Sequence, residues 1–175
     1  MGEEFRKVEA SSKKDIYDLL VRQVKSLLES ERDLIANMAN ISSVLYHTLS
    51  DINWAGFYLL KDNQLVLGPF QGLPACVRLP MGGGVCGKSA ESGKTVIVPN
   101  VHEFEGHIAC DSASNSEIVV PVISEKGLFG VLDLDSPKIA TFDETDKTGL
   151  EEIISVFIRH TDFGGRKNLT TRKSK

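Results

Sequence analysis

Two pairs of apolar runs, each joined by four mostly polar residues, constrain this chain more than any other feature. Trp54 to Leu60 leads through Lys61-Asp62-Asn63-Gln64 into Leu65 to Phe70, and Glu117 to Ile123 leads through Ser124-Glu125-Lys126-Gly127 into Leu128 to Asp135. Connections this short join antiparallel neighbours, so each pair reads as a hairpin within a mainly antiparallel sheet. Thr95 to Val98 reads as a further strand.

Helices precede and close that sheet. Ile16, Leu19, Leu20, Val24, Leu27 and Leu28 fall at helical spacing behind Ser11 and Ser12, either of which can cap the first amides. Leu34, Met38, Ile41, Leu45 and Leu49 repeat the pattern until Ser50-Asp51-Ile52-Asn53 stops it. Thr141-Phe142-Asp143-Glu144 reads as a cap before a last helix with Leu150, Ile153, Ile154, Phe157 and Ile158 inward. The predicted class is α+β, one domain over residues 12–160. Residues 161–175 turn basic and apolar-poor, which predicts a disordered tail.

A chain of 175 residues can bury a core without a metal or disulfide staple. Its net charge of -4 supplies no positive field for a phosphate backbone, so nucleic acid is not an expected partner. No apolar run approaches the roughly 20 residues that span a bilayer, and Glu3 and Glu4 stand where a signal peptide would be basic. The expected location is cytoplasmic, with nuclear targeting through the basic tail as an addition.

Gly82-Gly83-Gly84-Val85-Cys86-Gly87-Lys88-Ser89 spells the phosphate-loop pattern G-x-x-x-x-G-K-S/T, and Val131-Leu132-Asp133 imitates its acidic strand. That pattern has meaning only between a buried strand and a proper helix of a parallel sheet. Pro80 precedes it and Gly93 ends any helix soon after Lys88, so the expected structure is a tight turn into a short helix. Such a turn presents free amides that suit a carboxylate as well as a phosphate.

Three cysteines cannot all pair, and Cys76, Cys86 and Cys110 each lie in or beside loop-like sequence. A single cysteine is ordinarily a small buried hydrophobe, whereas three in loops point to reagents. Zinc is the competing use, with His102 and His107 near Cys110, but only His107-x-x-Cys110 has ligand spacing. In Val131-Leu132-Asp133-Leu134-Asp135 the two acids share one face of a strand. On an outward face they are solvated surface; lining a pocket, they repel each other, and one becomes a proton donor near neutral pH. Glu117, at the start of the neighbouring strand, is a candidate third member.

These residues resemble a known family, the free methionine-(R)-sulfoxide reductases, which are built on a GAF domain. The likeness is carried by Trp54-Ala55-Gly56-Phe57-Tyr58-Leu59, Leu67-Gly68-Pro69-Phe70-Gln71-Gly72, Gly84-Val85-Cys86-Gly87, Gly106-His107-Ile108-Ala109-Cys110-Asp111, Ser116-Glu117-Ile118-Val119-Val120-Pro121 and Gly130-Val131-Leu132-Asp133-Leu134-Asp135-Ser136. It covers residues 12–160, departing at Asn100, where the family usually has Asp, and at Glu105, where Pro is common.

The resemblance implies a GAF-like, six-stranded, mainly antiparallel sheet between helices, and a homodimer using the first and last helices. It implies Cys110 as nucleophile, Cys76 as its main resolving partner and Cys86 as an accessory thiol. Trp54 and Tyr58 would line the pocket near the substrate methyl, and Glu117, Asp133 and Asp135 would bind and polarise the substrate. Sulfoxide chemistry requires a proton on the departing oxygen, which assigns Asp135 or Glu117 as donor, with the other acids on the ammonium. The expected cycle runs through a sulfenic acid and a disulfide, with no bound cofactor. Thioredoxin restores the thiols and NADPH is consumed only indirectly. The rival class is a non-catalytic GAF module binding a small ligand such as a cyclic nucleotide.

Overall fold

Both hairpins sit in one six-stranded sheet. The computed structural model describes residues 12–164. Strands β1 (Trp54–Lys61), β2 (Gln64–Gly72), β3 (Arg78–Pro80), β4 (Val96–Val98), β5 (Ser116–Ser124) and β6 (Gly127–Ser136) lie in the order β3-β2-β1-β6-β5-β4. Every neighbouring pair is antiparallel. Between β1 and β2, Asp62 and Asn63 both take positive φ, 49° and 60°, and Lys61 faces Gln64. A two-residue turn of that hand matches the strands' own twist, and short polar side chains tolerate it best.

Helices α1 (Lys13–Leu28), α2 (Leu34–Thr48) and α4 (Glu144–His160) lie on one side of the sheet, and α3 (Gly84–Ser92) on the other. Ser12 caps α1 by accepting from the Asp15 amide, and Asp33 caps α2. At α4, Asp143 and Asp146 form a reciprocal capping box. Tyr17, absent from the apolar stripe read in the sequence, is buried between α1 and α4. Its hydroxyl donates to Asp146 Oδ1 at 3.0 Å, and Lys13 pairs with the same carboxylate.

Strand alternation divides the interior in two. Ala55, Phe57 and Leu59 of β1, Ile118 and Val120 of β5, and Leu132 and Leu134 of β6 meet the three-helix layer. Trp54, Tyr58, Val119 and Val131 turn to the α3 side. A one-residue slip of β6 would exchange its acids for its leucines, so burial of the leucines fixes the register that positions the acids.

Three expectations change in detail. The edge strand β3 is absent from the sequence reading; Pro80 ends it, as an edge strand permits. Cys86 lies in the first turn of α3 and is buried rather than in a loop. Finally, residues 161–164, read as the start of the tail, pack on the domain. Asn37 Nδ2 donates to Thr161 Oγ1 at 2.9 Å, and Phe163 stands edge-on to Phe129 and Phe157. The rest of the tail, 165–175, lies outside the described residues. Among those described, no helix is long and apolar enough to cross a membrane.

Candidate active site

The acids are gathered by register. Trp54 stands opposite Asp135 and Gly56 opposite Asp133 on β6, while Glu117 of β5 stands opposite Asp135 from the other side. All three carboxyls therefore project toward α3, not toward solvent as a surface pair would. Gly56 leaves room for this face, since a Cβ there would lie 2.3 Å from Phe70 Cβ and 2.6 Å from the Trp54 ring. Trp54 stacks on Phe70 at 5.3 Å and on Tyr58 at 5.8 Å between centroids.

Glu117 and Asp133 are each only 6% exposed, and Asp133 Oδ1 has no hydrogen-bond partner. Burial, then the charges of Asp133 and Asp135, holds the Glu117 carboxyl well above the usual range. Burial pushes Asp133 up to about 7. Asp135 is raised by burial and then by Asp133, against the opposing hydrogen bond from Ser114. The three share fewer than three charges near neutral pH, because ionising all of them in one low-dielectric site is costly. His107 Nε2 lies 3.7 Å from Glu117 Oε2, but burial, then His102, lowers its pKa, so it does not bring a cation.

Two cysteine-bearing loops close over the acids. Cys76, between β2 and β3, and Cys110, between β4 and β5, form a disulfide with Cα atoms 5.2 Å apart. The Trp54 indole donates to Leu73 O at 3.2 Å and the Tyr58 hydroxyl to Cys76 O at 3.0 Å, fixing the first loop. Asn53 Nδ2 donates to Asp111 Oδ2 at 2.9 Å and to Ser114 Oγ at 3.1 Å, fixing the second. The pocket between them is lined by Cys110, His107, Trp54, Tyr58 and the three acids.

Cys86 is the free thiol, with Sγ 3.9 Å from Glu117 Oε1. Burial, then Asp133 and Glu117, pushes it well up and keeps it protonated. Its sulfur and the oxygens of Glu117 and Asp133 lie within 4.8 Å of one another, the one such trio among the described residues that could span a metal. Gly83 and Gly84 at the start of α3 also line the pocket; the Gly83 amide donates to Pro80 O at 3.2 Å, and no side chain caps the amides that follow it.

All eight residues singled out in the sequence thus meet at one place: seven around the pocket wall, and Cys76 joined to Cys110 behind it. The sequence reading missed Asn53, Asp111 and Ser114. In the sequence Asn53 reads only as part of a helix stop, because its loop partners lie 58 and 61 residues away. The phosphate-loop spelling has no counterpart in structure. The segment entering it is a three-residue edge strand, Lys88 lies over the Phe104 ring, and the Ser89 hydroxyl donates to Lys94 O. Nor do His102, His107 and Cys110 converge as zinc ligands; His102 pairs with Asn115 and Cys110 is bridged.

A curled antiparallel sheet with a pocket between it and a short helix defines a GAF domain, and residues 35–156 match that family. The particular family is narrower. Over 144 residues the chain is 48% identical to the free methionine-R-sulfoxide reductase of Escherichia coli (strain K12), covering 82% of this chain and 87% of that one. It is 42% identical over 160 residues to the protein of the same name from Saccharomyces cerevisiae, covering 87% and 89%. The X-ray structure of free methionine-R-sulfoxide reductase from Neisseria meningitidis in complex with its substrate aligns with a TM-score of 0.87 at 42% identity, over 91% of this chain and 95% of that one. The chain belongs to the free methionine-R-sulfoxide reductase family.

Proposed function

We propose that this protein reduces free L-methionine-(R)-S-oxide to L-methionine, with Cys110 as the attacking thiolate. One observation carries the reading: Cys110 lines the same pocket as three carboxyls, Glu117 and Asp133 buried and Asp135 partly so, each held above the ordinary carboxylate range with burial as the first cause. A thiolate attacks a sulfoxide sulfur only as the oxygen is protonated, and a carboxyl that keeps its proton above the ordinary carboxylate range is the donor needed.

The thiolate of reduced Cys110 attacks the substrate sulfur as a proton from Glu117 or Asp135 reaches the sulfoxide oxygen; the resulting hydroxyl then passes to Cys110 Sγ as the substrate sulfur gives up its bonds to both, and methionine departs. Cys110 retains the oxygen as a sulfenic acid. Cys76 then attacks that sulfur, water leaves, and the Cys76–Cys110 bond forms. The remaining acids, with the unpartnered Asp133 Oδ1, accept the substrate ammonium, and the open amides of α3 take its carboxylate. Trp54 and Tyr58 enclose the methyl group. A methionine inside a polypeptide has neither free terminus, which accounts for a preference for the free amino acid.

Thioredoxin returns the disulfide to two thiols, drawing on NADPH through its own reductase, and the chain itself needs no bound cofactor. Cys86, buried and protonated, serves as an accessory thiol. A cyclic-nucleotide sensor is disfavoured by the same acids, which would face an anionic phosphate. In the direct test, Cys110→Ser abolishes turnover of the free R-sulfoxide, while Cys76→Ser keeps one stoichiometric turnover and loses thioredoxin-driven recycling. Turnover at the wild-type rate in Cys110→Ser overturns the assignment.

A further inference from the structure

We propose that the external dithiol protein that reopens the disulfide docks on the outward side chains of Leu73 and Val77 and attacks Cys76 rather than Cys110. This rests on the redox cycle above and adds to it a surface and a point of entry.

Among the described residues, five large apolar side chains are exposed, and two of them, Leu73 at 64% and Val77 at 65%, bracket Cys76 within five residues. Isolated exposed apolar residues need no explanation; the place of this pair, on either side of a cysteine whose bond another protein must reach, is what marks it as the docking rim. Their outward direction is imposed by the backbone. Trp54 holds Leu73 O, Tyr58 holds Cys76 O, and the Leu67 amide donates to Val77 O at 3.0 Å. With its carbonyls tied inward, the loop holds these two side chains out at little further ordering cost on binding.

The two sulfurs are not equivalent. Cys110 lines the acid pocket, whereas Cys76 does not. Both sulfur-bearing residues are half-buried, but a partner thiolate aimed at Cys110 approaches the wall of the pocket that carries Glu117, Asp133 and Asp135. Aimed at Cys76, it meets the apolar rim instead. The partner sulfur then bonds to Cys76, the Cys76–Cys110 bond breaks, and Cys110 leaves as a thiolate on the pocket side, where the next substrate requires it. The partner's second thiolate attacks the partner sulfur of the mixed disulfide and frees Cys76, which takes a proton. The partner ends as a disulfide and this chain as two thiols, a transfer of two electrons.

Leu73→Glu/Val77→Glu should raise the KM for thioredoxin, supplied with thioredoxin reductase and NADPH, about tenfold or more, the effect of roughly 1.4 kcal/mol of lost contact. Turnover supported by dithiothreitol, which needs no docking, should stay within about twofold and also reports that the variant is folded. An unchanged thioredoxin KM overturns the docking surface. No dithiothreitol-supported turnover of the free R-sulfoxide by wild-type protein would instead remove the underlying enzymatic reading, and this proposal with it. Independently of any variant of this chain, a thioredoxin whose second active-site cysteine is serine should be trapped on oxidised wild-type protein at Cys76 by peptide mapping. Trapping at Cys110 or Cys86 contradicts the point of entry.

Discussion

Asp133 shows how a single carboxyl can be set by its surroundings. Its ordinary pKa is 3.8, and burial moves it to about 7, with Oδ1 left unpartnered. Below about pH 4 the folded and unfolded chains both carry the proton, and nothing is lost. As pH rises toward 7 the unfolded chain releases it first, so the folded state holds the extra proton and stability falls; above 7 the loss is complete. Asp133→Asn removes this penalty. The variant should therefore gain about 1–3 kcal/mol over wild type at pH 8 and close to none at pH 4, read from urea midpoints, while losing activity. An equal gap at both pH values would mean that the carboxyl ionises freely. In sequence, the two-residue spacing of Asp133 and Asp135 established a shared face but not which one. That depended on pairing with β1 and β5, which no local pattern encodes.

At the level of elements, the two sides of the sheet carry separable tasks. A Cβ on Gly149 of α4 would lie 2.2 Å from the Tyr17 ring of α1, on the side away from the pocket. Gly149→Ala should cost about 1–3 kcal/mol in stability and leave kcat/KM of the folded protein within about twofold. Gly56→Ala presses on Trp54 and Phe70 and should lower kcat/KM at least tenfold. Equal kinetic losses in the two variants would contradict this division. Hairpins and helices were legible because two-residue turns, caps and periodicity are local signals. The three-residue β3 has no period to read, and Phe163 looked like tail because its partners Phe129 and Phe157 are distant or differently patterned. The phosphate-loop spelling misled at this same scale, since its meaning lay in the antiparallel sheet around it.

Across the whole molecule, the disulfide joins loops from opposite flanks of the sheet, 34 residues apart, and closes over carboxyls supplied by central strands. Composition could suggest reactive cysteines, and likeness to relatives supplied their order, but their meeting with the acids is a property of the folded topology. The most direct measurement is a single turnover by the reduced Cys76→Ser protein with free methionine-R-sulfoxide and dimedone present, analysed by peptide mass spectrometry. One methionine per chain should appear, with the sulfenic-acid adduct on Cys110. Methionine release with the adduct on Cys86, or with no cysteine labelled, would contradict attack from Cys110.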